Sequence, residues 1–180
     1  MRVVAGAFKG RRLQAPKGSD TRPTSDRVRE ALFSILGDRV QDARVLDLFA
    51  GSGALGLEAL SRGAASATFV DSDRAAAETI VRNVEKLGFE GARVYREDAG
   101  RRLASDAAVG RRYDLVLVDP PYRMLSRFLP MLATHLPSVV APSGVVVVES
   151  EGKEEPELPL PLRTSRRYGS TRVSLFEGRS

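Results

Sequence analysis

Short, continuous apolar stretches alternate along this chain with longer segments whose apolar residues recur at helical spacing. A short apolar run predicts a buried strand, and a periodic segment predicts an amphipathic helix. The alternation predicts an α/β fold with a doubly wound, mostly parallel sheet and helices on both faces. The predicted strands are residues 44–49, 67–70, 92–95, 114–118 and 144–149, the predicted helices include 54–62, 73–87 and 124–136, and residues 166–169 and 171–176 predict a final antiparallel hairpin.

The chain begins with a segment that does not fit this alternation. Residues 2–5 and 12–15 flank a glycine-containing tip, which predicts a small hairpin of two strands. A short helix is expected after it, before the first strand of the sheet. We therefore divide the chain into a basic N-terminal extension of a hairpin and a helix, residues 1–40, and an α/β domain, residues 41–180.

The helix of this extension has recognisable ends. Either Thr24 or Ser25 can cap its first turn, and its apolar face continues to Leu36 before a glycine ends it. Arg27 and Arg29 are expected on a different face of the helix. The helix should therefore pack on the sheet with one side and present basic residues on another.

Positive charge is concentrated in the same segment. The net charge of the chain is +5, and residues 1–30 carry eight arginines and lysines against three acidic residues, so this segment holds the whole excess. A localised basic segment on an otherwise balanced domain is typical of a site that binds a polyanion. The alternative is that solvated arginines only keep the protein in solution.

Composition excludes several kinds of chemistry. The 180 residues contain no cysteine, so disulfides, thiolate metal sites and a cysteine nucleophile are absent, and no metal site is expected. The single histidine, His135, has the neighbours of a structural helix residue and disfavours a Ser-His-Asp triad. No apolar run reaches the roughly 20 residues of a membrane span, and the N-terminus lacks an apolar signal region, so we expect a cytoplasmic protein.

A glycine-rich turn follows the first strand of the sheet and leads directly into a helix. The spacing Gly51-x-Gly53-x-x-Gly56 places backbone N–H groups and a helix N-terminus toward a ligand. Asp71 ends the next strand about twenty residues later, where ribose hydroxyls are commonly bound. Asp98, after the following strand, either accepts a hydrogen bond from an adenine amino group or caps the next helix. These positions predict a nucleoside-containing cofactor.

The strand at residues 114–118 ends in Asp119-Pro120-Pro121-Tyr122. Because proline cannot donate to a strand ladder, the two prolines end the strand and stiffen its exit. A carboxylate and an aromatic ring are thus held at the ligand-binding edge of the sheet. The alternative is an ordinary proline turn with Asp119 as a solvated acid.

Two enzyme classes compete for this combination. A nicotinamide dehydrogenase uses the glycine turn and Asp71 but gives no role to the Asp-Pro-Pro-Tyr sequence. An S-adenosylmethionine-dependent methyltransferase uses every feature, because Asp119 and the Pro120 carbonyl can hold an exocyclic amino group while Tyr122 stacks on the base. The residues expected at the cofactor are then Asp47, Phe49, Gly51, Ser52, Gly53, Asp71, Ser72, Asp98 and Ala99, and the catalytic residues are Asp119, Pro120, Pro121 and Tyr122.

Several stretches resemble a known family. DLFAGSG at 47–53 and DPPY at 119–122 resemble class I methyltransferases that act on amino groups, and RVVAGAFKGRRL at 2–13, RPTSDRVREALF at 22–33 and YGST at 168–171 resemble the RsmD family of bacterial 16S rRNA (guanine-N2)-methyltransferases. The resemblance extends over nearly the whole chain and implies a Rossmann-like class I fold. It also implies methylation of one guanine N2 in the small ribosomal subunit, assembled or partly assembled.

This resemblance gives the basic segment a role. Lys9, Arg11, Arg12, Arg22 and Arg27 are expected to bind rRNA phosphates, which position the enzyme while the pocket reads the base. A monomer is the simplest expectation, and no membrane partner is predicted. Two alternatives remain, namely a methyltransferase for amino groups of adenine or cytosine in DNA, and a non-catalytic RNA-binding assembly protein.

Overall fold

A single mixed sheet organises the part of the chain that the computed structural model describes, residues 1–18, 24–121, 123–153 and 155–179. Its strands are β1 (Arg44–Leu48), β2 (Ser66–Asp71), β3 (Ala92–Arg96), β4 (Tyr113–Val118), β5 (Val140–Glu151), β6 (Leu162–Tyr168) and β7 (Thr171–Glu177). They lie in the order β3-β2-β1-β4-β5-β7-β6. β7 runs antiparallel to β5 and β6 on either side of it, and the strands β1 to β5 pair in parallel. The predicted doubly wound sheet with a C-terminal antiparallel hairpin is confirmed.

Three helices lie within one residue of the predicted ends (26–36, 54–61 and 74–87), whereas the helix predicted at 124–136 continues to Val139. The helices are α1 (Asp26–Leu36), α2 (Ala54–Ser61), α3 (Arg74–Leu87), α4 (Ala99–Ala108) and α5 (Leu125–Val139). Ser25, Asp73 and Asp98 each accept a hydrogen bond from a backbone N–H in the first turn of the helix that follows. In the described ranges, no helix combines the length and the apolar character that crossing a bilayer requires.

The two faces of the sheet are covered by different helices. Alternate residues of a strand point to opposite faces, and the buried residues of β1 and β4 divide accordingly. Val45 packs in a cluster with side chains of α1, α2 and α3, whereas Leu46 packs in a second cluster with side chains of α4 and α5. Because both faces are buried, the strands are almost continuously apolar, which explains why their positions are readable from the sequence.

The N-terminal segment differs from the predicted hairpin of two strands. The residues 2–5 and 12–15 form one isolated bridge, between Arg2 and Arg12, rather than a ladder. The backbone N–H groups of Val4 and Ala5 donate instead to the Glu58 carboxylate on α2, at 2.8 and 2.9 Å. The Val3 N–H still donates to the Arg11 carbonyl at 2.9 Å, so the segment folds back on itself with fewer pairs than two full strands would make, and it is also attached to α2 of the α/β core.

The expectation that Arg29 belongs to an exposed basic face is wrong. Its side chain is completely buried, with the guanidinium 2.8 Å from Asp26 and 3.5 Å from Glu58, which is also fully buried. Arg27 is exposed, as predicted. Arg29 thus neutralises the buried Glu58 carboxylate, and its charge is not available to an external ligand.

We expect Glu58→Ala to lower the free energy of unfolding by about 3 kcal/mol, because it removes the acceptor of two backbone N–H groups and the buried carboxylate that pairs with Arg62 and lies beside the buried Arg29. Urea unfolding followed by circular dichroism measures the change. Glu78→Ala is the control, since Glu78 forms an exposed ion pair with Arg74 on α3 and its loss should change the urea midpoint little. Equal midpoints for the two variants would contradict a structural role for the Glu58 network.

Candidate functional site

A cleft of about 850 Å³ opens at the carboxyl ends of the parallel strands. Its walls come from the residues at or after the ends of β1 to β5, from the turn between β6 and β7, and from the stretch before α1. Ligands of open α/β sheets bind at this edge, and the volume lies in the range of small-molecule sites. The lining includes the predicted residues Asp47, Phe49, Gly51, Ser52, Asp71, Ser72, Asp98, Ala99, Asp119, Pro120 and Pro121.

Gly53 and Tyr122 are the two predicted cofactor and catalytic residues that remain. Tyr122 lies outside the described residues, as does Arg22 of the basic segment. Gly53 does not line the cleft, because it faces the protein interior: a Cβ there would lie 3.3 Å from both Ile80 and Phe69. Its φ of +80° still requires a residue that tolerates the left-handed region. Gly53 therefore shapes the turn and permits close packing rather than approaching a ligand.

Gly51 has the opposite environment. A Cβ at this position would meet no heavy atom within 4 Å, and its φ is +58°. The Gly51 N–H donates to Asp71 Oδ2 at 2.9 Å, which fixes the turn against the end of β2. The backbone at Gly51 thus borders open space, as expected for a turn that a ligand approaches closely.

Asp47 is the most deeply buried carboxyl group of the site, with 1% of its surface exposed. Burial chiefly, with a smaller contribution from the charge of Asp71, raises the pKa of Asp47 to about 8, although a hydrogen bond from the Gly56 N–H opposes the shift. A buried carboxyl with this pKa is stabilised in its ionised form by a nearby cation. Asp47 therefore favours a positively charged group in the cleft.

Asp71 and Asp98 hold the backbone of the cleft in place. Asp71 accepts from the N–H groups of Gly51 and Asp73, one at each carboxylate oxygen. Asp98 accepts from the Arg101 N–H at 3.0 Å, so its capping role is confirmed. Each carboxylate oxygen can accept more than one hydrogen bond, so capping and ligand binding are compatible.

Phe49 follows β1 with a φ of +58°, an uncommon conformation for a residue with a side chain. Its ring packs against Phe128 of α5 with centroids 4.7 Å apart. Strained backbone of this kind persists only where surrounding contacts fix it, and it concentrates at functional sites. The strain places an aromatic side chain on the wall of the cleft.

Asp119 forms part of a three-residue cluster that the sequence did not reveal. The Thr24 hydroxyl lies 2.7 Å from Glu149 Oε2 and 3.1 Å from Asp119 Oδ2. Burial and the neighbouring charge of Glu149 raise the pKa of Asp119 well above its ordinary value, and the hydrogen bond from Thr24 opposes this. Burial likewise raises the pKa of Glu149. Two carboxyl groups and a hydroxyl therefore share one corner of the cleft.

Two signals in the sequence point to Thr24 and Glu149. Ser25 provides the cap of α1, which leaves the neighbouring hydroxyl of Thr24 available to the cleft. Glu149 is an acid near the carboxyl end of a parallel strand, the position that had singled out Asp71 and Asp119. Choosing between Thr24 and Ser25 as the cap, however, requires knowing how α1 sits beside the sheet.

The predicted basic residues lie outside the cleft. Lys9, Arg11, Arg12 and Arg27 are exposed and do not line it. Lys86 of α3 joins them, because its ammonium group donates to the Arg12 carbonyl at 2.9 Å. Sequence patterns do not predict this contact, because it connects residues far apart along the chain. We name Lys9, Arg11, Arg12 and Lys86 the basic tip.

Comparison with known proteins finds similarity over nearly the full length. A family model described as "Conserved hypothetical protein 95" matches residues 1–177. The chain is 42% identical over 153 residues to "Ribosomal RNA small subunit methyltransferase D" of Escherichia coli (strain K12), covering 84% of this chain and 75% of that protein. It is 38% identical over 187 residues to "Putative rRNA methyltransferase YlbH" of Bacillus subtilis, covering 99% and 100%.

Solved structures have the same fold. A structure described as "Putative methyltransferase yhhF from Escherichia coli" superposes with a TM-score of 0.85 at 38% identity, covering 99% of this chain and 98% of that one. A structure described as "A putative sam-dependent methyltransferase from Streptococcus mutans" shares the fold with a TM-score of 0.69 at 14% identity, covering 84% of this chain and 48% of that one. The Rossmann-like methyltransferase fold expected from the sequence is confirmed.

We expect Asp47→Asn to stabilise the ligand-free protein at neutral pH. A folded-state pKa of about 8, against 3.8 for the unfolded chain, means that the folded protein binds more protons between these values and loses stability as pH rises. At about 1.4 kcal/mol for each pKa unit, the gain in the variant is on the order of 4 kcal/mol at pH 7 and disappears below pH 4.

Urea unfolding at a series of pH values measures this difference. Asp114→Asn, at the opposite end of β4, is the control with the opposite sign, because the hydrogen bond from Arg44 lowers the pKa of Asp114. That variant should lose stability at neutral pH. A destabilised Asp47→Asn protein at pH 7 would show that the Asp47 carboxyl is ionised in the folded state.

Proposed function

Because this chain belongs to the RsmD family of ribosomal RNA methyltransferases, we propose that it transfers a methyl group from S-adenosylmethionine to the exocyclic N2 of a guanine in 16S rRNA. The proposed substrate is the assembled or partly assembled small subunit. One observation carries the proposal: Asp119, on its proline-stiffened strand end, shares one cleft with the Gly51 turn and with Asp47 and Asp71. The activity is expected in the cytoplasm and requires no second copy of the chain.

The residues of the cleft fit this cofactor. Asp47 is a buried carboxyl that favours a cation, and the methionine end of the cofactor carries an ammonium group. The open backbone at Gly51 permits close approach, and Asp71 can accept from ribose hydroxyls. Asp98 has acceptor capacity left for an adenine amino group after it has capped α4. When bound, the cofactor supplies an electrophilic methyl group.

Asp119 and Pro120 are proposed to act on the nucleophile. The N2 of guanine is a weak nucleophile because its lone pair is delocalised into the ring. The Asp119 carboxylate and the Pro120 carbonyl can each accept one hydrogen of the amino group, which aligns the nitrogen for in-line attack. As the new N–C bond forms, the methyl–sulfur bond breaks and its electron pair stays on sulfur; N2 becomes cationic, and its surplus proton leaves to Asp119 or to water. We propose that Pro121 stiffens this turn and that Tyr122 stacks on the base.

The N-terminal extension is proposed to bind rRNA through its exposed charges. The basic tip combines four cations, three of them on residues 1–40, and Arg27 is also exposed. Contacts of these side chains with phosphates would orient the enzyme, while the cleft selects the base. Arg22 is included in this proposal from its sequence alone.

We expect Asp119→Asn to reduce methyl transfer at least about hundredfold, because it replaces a charged acceptor by a neutral amide, while cofactor binding changes little. The assay transfers labelled methyl groups to small ribosomal subunits and to bare 16S rRNA, followed by nucleoside analysis for N2-methylguanosine. Asp114→Asn, on the same strand but away from the cleft, is the matched control. Label in DNA but in neither RNA would favour the alternative of a DNA amino-methyltransferase.

We expect the double change Arg11→Ala/Arg12→Ala to weaken RNA binding and to flatten its salt dependence. Losing two phosphate contacts should reduce the slope of log affinity against log salt by about 1.5 to 2. Arg39→Ala/Arg112→Ala is the control, since both residues are exposed near the amino ends of β1 and β4, opposite the cleft, and the charge change is the same. Equal salt slopes for the two variants would refute the assignment of the basic tip.

A further inference from the structure

A single hydroxyl group lies between two carboxyl groups at the end of the cleft that holds Asp119. Thr24 Oγ1 is 2.7 Å from Glu149 Oε2 and 3.1 Å from Asp119 Oδ2, both within hydrogen-bond distance. A hydroxyl has one proton to donate. It can therefore serve only one of the two carboxyl groups at a time, and the other receives no hydrogen from it.

The sheet fixes this arrangement. Val118 of β4 is paired with Val148 of β5 in parallel register. Asp119 and Glu149 directly follow these two residues, so they occupy neighbouring positions. Residues at equivalent positions of parallel neighbours lie on the same side of a sheet. Thr24, which is 9% exposed, closes the space between them from the segment before α1. The three oxygen atoms are thus positioned by three separate elements of the core.

The number of hydrogens available to the cluster favours one of its protonation states. If both carboxyl groups are ionised, two negative charges lie next to each other in a corner that burial has partly cleared of water. The three oxygen atoms then share the one hydroxyl hydrogen of Thr24. With one carboxyl protonated, the acid donates to Thr24 Oγ1, and Thr24 donates to the remaining carboxylate. Each close contact then contains a hydrogen, and one negative charge is removed. The burial that raises both pKa values favours the same state.

We propose that Thr24 and Glu149 are positioning residues for Asp119, and that the two carboxyl groups share one proton across the Thr24 hydroxyl. When that proton rests on Glu149, Asp119 is ionised and oriented to accept from the amino group of the substrate. The proton moves without any change in bonds to carbon: Asp119 gives its proton to Thr24 Oγ1 as Thr24 gives its own to Glu149. The role of Asp119 here rests on the proposed function.

The arginines near this cluster pair with other groups. Among the described residues, no lysine or arginine forms an ion pair with Asp119 or Glu149. Asp47 of β1 adds negative charge that raises the pKa of Asp119 further. Arg123 pairs with Glu151 at 3.2 Å, and Arg172 of β7 donates to Ser165 and to the Gly152 carbonyl.

The first test compares the pH dependence of kcat in four variants. Thr24→Val removes the hydroxyl at nearly constant shape and should lower kcat at least about tenfold with little change in KM, whereas Thr24→Ser should restore most of the loss. In Glu149→Gln, the side-chain amide N–H can donate to Thr24 at every pH, as the protonated Glu149 would. Its kcat should therefore exceed that of Glu149→Ala about tenfold or more. Wild-type activity should fall at low pH, as Asp119 takes up a proton, and at high pH, as the shared proton is lost.

The high-pH decline should be absent from Glu149→Gln, because its amide cannot ionise. If this variant is as inactive as Glu149→Ala, Glu149 acts as a carboxylate and the proposal is wrong. Thermal unfolding of all four variants separates a folding defect from a loss of positioning. Failure of Thr24→Ser to exceed Thr24→Val, with both proteins folded, would also overturn the proposal.

The second test needs no substrate. Carboxyl carbon NMR titration of the wild-type protein should show one group of the pair ionising well above the usual carboxyl range, assigned by comparison with Asp119→Asn and Glu149→Gln. In Asp119→Asn, the pKa of Glu149 should move back toward its ordinary value. Two ordinary titrations in the wild type would refute the shared proton even if the enzyme methylates rRNA. A shared proton in a protein that methylates no RNA would contradict the proposed function instead.

Discussion

Parallel strands bring their carboxyl ends to one edge, and in this protein acidic side chains from several strands line a single cleft at that edge. Among them, Asp47, Asp71, Asp119 and Glu149 lie at or near the carboxyl ends of β1, β2, β4 and β5. Burial opposes the ionisation of Asp47, Asp119 and Glu149, so the ligand-free site is held at a cost in stability. The cleft is therefore organised for a ligand that brings positive charge or hydrogen-bond donors.

The N-terminal segment belongs physically to this core, although its charge suggests a separate module. Glu58 of α2 binds its backbone, Arg29 of α1 neutralises Glu58, and Val3 packs in the same apolar cluster as the strands. Thr24 extends from this region directly into the cleft. A phosphate contact at Arg11 or Arg12 would thus act on a segment rigidly connected to the site, so RNA binding and base positioning would be set by one framework.

Local signals in the sequence were sufficient for most of the fold. The central strands β1 and β4 are apolar because they are buried on both faces, and the caps at Ser25, Asp73 and Asp98 act within one turn. What the sequence could not supply depends on partners distant along the chain. Arg29 looks exposed until Glu58 is placed beside it, and Thr24 looks like a second cap until β4 and β5 are in register. The glycine turn was recognisable, but assigning Gly53 to packing required Phe69 and Ile80 around it.

The acidic residues of the cleft also bear on the order of cofactor binding and product release in the proposed reaction. S-adenosylmethionine carries a positive sulfonium in addition to its ammonium group, and the sulfonium charge is lost once the methyl group has left. Coulomb attraction is stronger in a cleft of low dielectric than in water, so the ionised form of Asp47 would stabilise the charged cofactor more than its neutral-sulfur product. The carboxyl group that destabilises the ligand-free protein would then favour cofactor binding before methyl transfer and product release after it.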